Sequence, residues 1–214
     1  MSNTQQVAPE TSQESPDRVN DTAITTTIDD CPIEGLTHNP KLMELNRLKN
    51  RTLFPQASDY YKYDVDISLA KMLAPGDDRE RWNSDMAAEI TGYVYDVKIG
   101  GVETCNCKAK DPAHRDTHIE LVLDPMNGGG ADKIIVEVTP RIRNIMAAKG
   151  VNWSTKGLRD KILGRRVRVK GWLLFDEEHL MQAENTNPGN ERNWRKSCWE
   201  LHPVTSIEVV NRKP

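Results

Sequence analysis

The sequence predicts a mainly β protein: a five-stranded barrel with a helical crossover between the third and fourth strands, preceded by a disordered N-terminal arm. One observation is the order of patterns in residues 88–214, where three alternating stretches are followed by two helix signals and two more alternating stretches. The other is the contrast with residues 1–40, which are rich in Ser, Thr, Gln, Asn, Asp and Pro and show no apolar period. We expect the arm at residues 1–40, short helices and a linker packed on the body at residues 41–87, and the barrel at residues 88–214.

The segment before the barrel carries weak helical signals. Three leucines between residues 41 and 49 have helical spacing and follow Pro40, which suits the first turn of a helix. A second helical turn is expected from Ile67 to Leu73, where a Pro-Gly pair ends it. Trp82 lies in a charged run, so we expect it to anchor this extension on the barrel.

Alternation predicts the first three strands. Residues 90–99 form a long strand, and Gly92 stands where a bulge or bend would help it curl. Residues 118–124 and 133–139 alternate on either side of a glycine-rich turn. The residues expected to point inward are Ile119, Leu121, Leu123, Ile134, Val136 and Val138.

The crossover and the last strands follow. Thr139 and Pro140 are a strong helix start, and a second short helix opens at Ser154 or Thr155. Residues 165–176 are the clearest strand of the chain. Its apolar face carries Val167, Val169, Leu173 and Phe175, and its other face carries Arg166, Arg168, Lys170 and Trp172. A last strand at residues 197–210 is expected to be interrupted at its proline.

This order of elements resembles the OB-fold, a small closed barrel in which a helix plugs one end. The resemblance covers residues 88–210 and rests on the topology and on the strand Val-Arg-Val-Lys-Gly-Trp-Leu at residues 167–173. It is a superfamily pattern that indicates no characterised family, so it transfers no functional residue. A small β-sandwich or a split barrel is the alternative architecture.

A basic block suggests a first function. The chain has a net charge of -3, but residues 141–170 hold ten basic residues and one acid, a local charge of +9 that would attract a polyanion. We expect a binding module for single-stranded nucleic acid, with bases stacking on Trp172 or Tyr93. The phosphate contacts would come from Arg141, Arg143, Arg166, Arg168 and Lys170. The alternative is that these side chains are solvated faces of helices and a strand.

A second function follows from polar residues inside strands. If the apolar residues point inward, His118, Glu120 and Glu137 point outward, with Glu120 roughly opposite Glu137. Two facing carboxylates need compensation, either from Arg141, Arg165 or Arg168, or from a metal ion or a shared proton. Histidines and carboxylates together suit zinc or another divalent ion that polarises a phosphate or activates water.

The sequence therefore also predicts a metal-dependent phosphoesterase-type enzyme as the alternative. Its catalytic candidates are His118, Glu120, Glu137 and His202, and its metal candidates are His118, His179 and His202. Cys105, Cys107 and His114 form a further candidate zinc set, although one residue between the cysteines is short for such a site. Plain loop cysteines are the alternative for that set.

The remaining expectations concern location and partners. Four cysteines in a chain of this length are too few for a disulfide scaffold, so reduced thiols are expected. The start of the chain has no targeting pattern, and no apolar run reaches membrane-spanning length. These two observations predict a cytoplasmic protein that does not associate with a membrane. A third possible function is a protein-interaction scaffold whose arm finds the partner. No phosphate-binding loop, dinucleotide fingerprint or serine-hydrolase elbow is present in the sequence.

Overall fold

The computed structural model describes residues 28–61, 67–126 and 129–210, so residues 1–27 of the predicted arm lie outside the described residues. Within them, five strands form a closed barrel in the order β1-β2-β3-β5-β4. The strands are β1 (Ala87–Ile99), β2 (Thr117–Val122), β3 (Ile134–Val138), β4 (Arg166–Phe175) and β5 (Trp199–Val209). The helices are α1 (Pro40–Lys49), α2 (Ala57–Tyr60), α3 (Leu69–Leu73), α4 (Pro140–Ala148) and α5 (Thr155–Ile162). Short 3-10 turns lie at Ile28–Asp30, Thr104–Asn106, Pro112–His114 and Glu177–His179.

The predicted fold class is confirmed as an OB-fold-like barrel. All neighbouring strands pair antiparallel except β3 and β5, which meet in parallel at Val136 and Leu201 and close the barrel. Helices α4 and α5 form the crossover between β3 and β4. Their starts are capped as expected, because Thr139 accepts from the Ile142 amide and Ser154 from the Gly157 amide.

The core confirms the alternation in β4. Val167, Val169 and Leu173 are fully buried, and Phe175 packs on Trp199 with ring centroids 5.2 Å apart. The expected anchor, Trp82, also packs edge-on against Trp199, at 5.6 Å. Gathering apolar side chains on one face of each strand supplies the main stabilising free energy of such a barrel.

Two details of the strands differ from expectation. The bulge in β1 falls between Val94 and Asp96 rather than at Gly92, where a Cβ atom would lie 2.4 Å from a methyl carbon of Leu69. Pro203 does not interrupt β5; the strand continues through it while the pairing with β4 shifts register nearby. A proline nitrogen has no hydrogen to donate to the ladder. Proline therefore fits a strand only where the regular pairing is interrupted, as it is here.

The segment ahead of α1 corrects two expectations. Residues 28–39, which the sequence assigned to the disordered arm, pack against the body, with Ile28 and Cys31 buried. Cys31 forms a disulfide with Cys107, 76 positions away, so the expectation of reduced thiols is wrong for this pair. Cys105 and Cys198 are free and buried. No helix in the described part of the chain is long and apolar enough to cross a membrane.

Candidate metal centre

The connector between β4 and β5, residues 176–198, packs on the outer face of the barrel beside β2 and β3. Its Trp194 packs on His118 with ring centroids 5.5 Å apart, and its Lys196 amide donates to the Lys133 carbonyl at 3.0 Å. Side chains that alternation placed on the outside are therefore buried. His118 is 7% exposed and Glu137 is 6% exposed, so a charge at either position must find its partner within the protein.

His118 pairs with Glu137 across the β2–β3 ladder. Its Nδ1 lies 3.0 Å from Glu137 Oε1, and the expected pairing of Glu120 with Glu137 is wrong because Glu120 stands opposite Ile135. Burial by itself lowers the pKa of His118, but the carboxylates of Glu120 and Glu137 outweigh burial and raise that pKa to about 8. His118 Nε2 has no hydrogen-bond partner in the described part of the chain.

Glu120 is compensated by lysines, not by any of the arginines that the sequence suggested. Lys98 donates to its Oε1 and Lys133 to its Oε2, the latter at 2.9 Å. Burial raises the pKa of Glu120, but His118 and the two lysines outweigh burial and hold this pKa far below its usual value. Glu120 is thus fully committed within the protein.

His202 lies at the centre of the buried polar cluster. Its Nδ1 is 3.0 Å from Glu200 Oε1 and 3.5 Å from Glu137 Oε2, so Glu137 joins His202 to His118. Its Nε2 lies 3.8 Å from Asp116 Oδ2 and makes no hydrogen bond with the described residues. The Glu200 carboxylate is held in turn by Arg195 at 2.8 Å.

Asp116, immediately before β2, completes the cluster. Its Oδ2 accepts from Asn106 Nδ2 at 3.0 Å, and its Oδ1 has no hydrogen-bond partner in the ranges that the structure covers. One possible ligand atom each from Asp116, Glu137 and His202 lies within 4.8 Å of the others, and all three residues are buried. We call these three residues the metal triad. Such a set of two carboxylates and one imidazole matches the donors that bind divalent cations.

The pKa values in the metal triad reflect its burial. Burial raises the pKa of Asp116 to about 7; His202 opposes the rise and Glu137 adds to it. Burial lowers the pKa of His202, but the Glu200 hydrogen bond and the charges of Glu137 and Asp116 outweigh burial and raise that pKa to about 9. The carboxylates therefore create a strong demand for positive charge at this point.

A cavity of about 410 Å³ reaches this cluster. Glu137 belongs both to its wall and to the metal triad, and His118 lies beside it. Other residues of the wall are Lys98, Glu103, Glu178, His179, Trp194 and Arg195. The cavity thus meets the triad at Glu137, while Asp116 and His202 lie behind its wall.

The other metal candidates are not members of the triad, although His118 contacts Glu137 at 3.0 Å and Cys105 Sγ lies 3.9 Å from Asp116 Oδ2. His179 pairs with Asp176 at 2.8 Å and packs edge-on against Trp194, at 5.6 Å. Cys107 is consumed by the disulfide, so the predicted set of Cys105, Cys107 and His114 does not form. Among the described residues, His114 belongs to neither of the two groups of possible ligands, which are the triad and the set of Glu103, Cys105 and Asp116.

Four of the five predicted phosphate contacts are engaged within the protein. Arg168 and Lys170 both pair with Glu89, at 3.2 and 2.7 Å. Trp172 donates its indole N–H to the Leu53 carbonyl at 2.7 Å. Arg143 donates to the Thr117 hydroxyl, and Arg141 donates to the Asn50 side chain. Arg166 is half-buried, and Tyr93 stands opposite it in the β1–β4 ladder.

Several site residues escaped the sequence reasoning. Asp116 could have been found, because it alternates in phase with His118 and Glu120, and Glu200 does the same with His202. No local pattern marks Lys49, Glu103 or Arg195, which reach the site from α1, a turn and the connector. Buried Lys49 contacts three carboxylates, those of Glu103, Asp176 and Glu178, at 2.9, 3.4 and 3.2 Å.

These observations define the class of protein: an OB-fold-like barrel with a buried carboxylate–histidine centre beneath a cavity. Comparison with protein-family models and with curated proteins finds no match to this chain. The function must therefore be argued from the site itself.

Proposed function

We propose that this protein is a metal-dependent enzyme that hydrolyses a phosphoester at the metal triad. The observation that carries the proposal is the convergence of Asp116, Glu137 and His202, with their ligand atoms within 4.8 Å, below a cavity. His202 Nε2, which makes no hydrogen bond with the described residues, lies 3.8 Å from Asp116 Oδ2, and the other oxygen of that carboxylate, Oδ1, also lacks a hydrogen bond among them. Buried polar atoms normally find partners, and a bound cation would satisfy both.

The donor set indicates the class of cation. Carboxylate and imidazole ligands suit zinc and similar divalent ions, which keep an open position for water or substrate in catalytic sites. Such an ion polarises a phosphoryl oxygen or lowers the pKa of bound water, and three protein ligands leave room for either. The protein contributes a fixed, water-poor surrounding, because all three residues are buried.

The cavity wall supports an anionic substrate. Lys98, whose side chain is 46% exposed and pairs with Glu120, and Arg195, which pairs with Glu200, bring positive charge to it, and the raised pKa of His118 favours a charged imidazole there. A phosphoester carries negative charge that such groups attract. Of the three acids of the wall, Glu103 and Glu178 are paired with Lys49, and Glu137 belongs to the metal triad, where a bound cation would offset its charge.

The test combines metal analysis with an activity assay. Purified protein, supplemented with zinc or manganese, is analysed for bound metal and assayed with a chromogenic phosphodiester. We expect bound metal and hydrolysis in the unmodified chain, and loss of both in Asp116→Asn, because the amide lacks the negative charge of the ligand. Absence of metal after supplementation contradicts the proposal.

Asp78→Asn is the matched control. Asp78 is an equally buried aspartate with one oxygen lacking a hydrogen bond among the described residues, but it belongs to neither group of possible ligands. Any general cost of losing a buried carboxylate should affect both variants. Only Asp116→Asn should lose the metal.

Two other functions stay predictions. Binding of single-stranded nucleic acid draws support from the local charge of +9 in residues 141–170. Partner binding through the N-terminal arm concerns residues 1–27, which lie outside the described residues. Deleting residues 1–27 while keeping the packed segment that starts at Ile28 would test this role without disturbing the barrel.

A further inference from the structure

A second group of possible metal ligands adjoins the metal triad. Glu103, Cys105 and Asp116 each place one ligand atom within 4.8 Å of the others. Cys105 is 1% exposed, and its Sγ lies 3.4 Å from Glu103 Oε2. The thiol thus lies among carboxylates rather than among apolar side chains, with Asp116 Oδ2 at 3.9 Å from Sγ.

Asp116 is common to both groups. Its Oδ2 lies 3.9 Å from Cys105 Sγ and 3.8 Å from His202 Nε2, so the carboxylate stands between the two donor sets. Asp116 is 1% exposed, and its Oδ1 has no hydrogen-bond partner among the described residues. A carboxylate in this position can bridge two cations, as in enzymes whose paired metal ions act on phosphoesters.

The turn that carries Cys105 is fastened by the N-terminal segment. Asn50 Nδ2 donates to the Cys105 carbonyl at 2.8 Å, and the Leu36 amide donates to the Thr104 carbonyl at 2.8 Å. The disulfide between Cys31 and Cys107 adds a covalent link two residues further on. Rigid support of this kind is what a metal ligand on a turn requires.

We propose that a second cation, of the zinc class, binds between Glu103, Cys105 and Asp116, with Asp116 bridging it to the cation of the metal triad. This rests on the proposed function, because it extends the same centre. A thiolate ligand selects zinc over magnesium or calcium. On binding, the sulfur–metal bond forms as the Cys105 thiol gives its proton to water, and no oxidant or reductant is needed.

Lys49 lies at the edge of this second position, where it contacts the same Glu103 oxygen as Cys105. Its ammonium shares Glu103 Oε2 with Cys105, at 2.9 Å from the oxygen, and it also contacts Asp176 and Glu178. If Glu103 reorients to bind a cation, Asp176 and Glu178 still balance the charge of Lys49. The second cation therefore does not leave a buried ammonium without a partner.

Cobalt substitution tests the second position without an activity assay. The full chain is stripped of metal with a chelator, kept free of reductant so that the disulfide stays closed, and titrated with Co²⁺. We expect two equivalents of cobalt per chain and a near-ultraviolet charge-transfer band from cobalt bound to thiolate. Cys105→Ser should bind one equivalent and lose the band, whereas Cys198→Ser, the other free buried cysteine, should behave like the unmodified chain.

The outcomes separate this inference from the proposed function. One equivalent of cobalt without the band in the unmodified chain overturns the second position and leaves the metal triad standing. No cobalt at all overturns both. Persistence of the band in Cys105→Ser also overturns the second position. X-ray absorption on the zinc-loaded unmodified chain gives a check independent of any variant: a sulfur ligand to zinc is expected, and its absence contradicts the inference.

Discussion

Glu137 joins the two imidazoles of the site through its two oxygens, at 3.0 Å from His118 and 3.5 Å from His202. Because both rings use Nδ1 for carboxylates, the Nε2 of each is left without a hydrogen bond among the described residues. Two buried nitrogens in this state cost free energy unless a ligand or water meets them. Each Nε2 faces a further carboxylate at a distance too long for a hydrogen bond, 3.7 Å from Glu120 Oε1 for His118 and 3.8 Å from Asp116 Oδ2 for His202.

Glu120 provides a prediction about stability, because its partners are all within the protein. Its pKa is lowered in the folded state, so the ionised carboxylate stabilises the fold above the unfolded pKa of about 4.3, and this contribution is lost as the pH falls through the folded pKa. We expect Glu120→Gln to lower the free energy of unfolding by about 2 kcal/mol at neutral pH. The difference should shrink as the pH falls below the unfolded pKa.

Urea unfolding of both chains at neutral and acidic pH measures this effect. Glu177→Gln, at an exposed position of the connector, is the control and should change stability little at either pH. A loss in Glu120→Gln that is equally large at both pH values would show that the side chain acts by shape rather than by charge.

The pairing of β4 with β5 depends on a glycine. A Cβ atom at Gly171 would lie 2.6 Å from the Pro203 carbonyl oxygen and 3.0 Å from Val204 Cα, both of them backbone atoms that cannot turn aside. We expect Gly171→Ala to lower the free energy of unfolding by about 2 kcal/mol, the usual cost of overpacking. Thermal unfolding checks this, with Gly129→Ala as control, since a Cβ atom there meets nothing within 4 Å.

The segment from Ile28 to α1 is tied to the barrel by a covalent bond. The Cys31–Cys107 disulfide closes a loop of 76 positions, and closing a loop of this length in the unfolded chain is worth about 4 kcal/mol. We therefore expect a reductant to lower the free energy of unfolding of the unmodified chain by this order. The double variant Cys31→Ser with Cys107→Ser should start lower and not respond to reductant. Equal sensitivity of both proteins would mean that another thiol is responsible.

The strands could be predicted because each carries its own period. Val167 and Val169 mark β4 without reference to any other part of the chain, and the barrel order follows from five such elements and a crossover. The same alternation in β2 predicted that His118 lies on the face opposite to Ile119 and Leu121. What could not be predicted is that residues 176–198 would bury this face, because their polar sequence has no period that says where they lie. Contacts such as that of Lys49 with Asp176 depend on tertiary packing alone.

The surface charge of the barrel allows a direct test of nucleic-acid binding. Glu89 pairs with Arg168 at 3.2 Å and with Lys170 at 2.7 Å, so it competes with any phosphate for both side chains. We predict that Glu89→Gln strengthens the affinity for a single-stranded oligonucleotide. A fluorescent oligonucleotide titrated with the protein at low salt measures this affinity. Lys170→Gln should weaken it and reduce the salt dependence by about one released counterion. Lys41→Gln, an exposed change outside the basic block, should leave binding unaltered. No binding at micromolar protein, or equal affinities for all variants, contradicts the hypothesis, because phosphates held by this face must compete with Glu89.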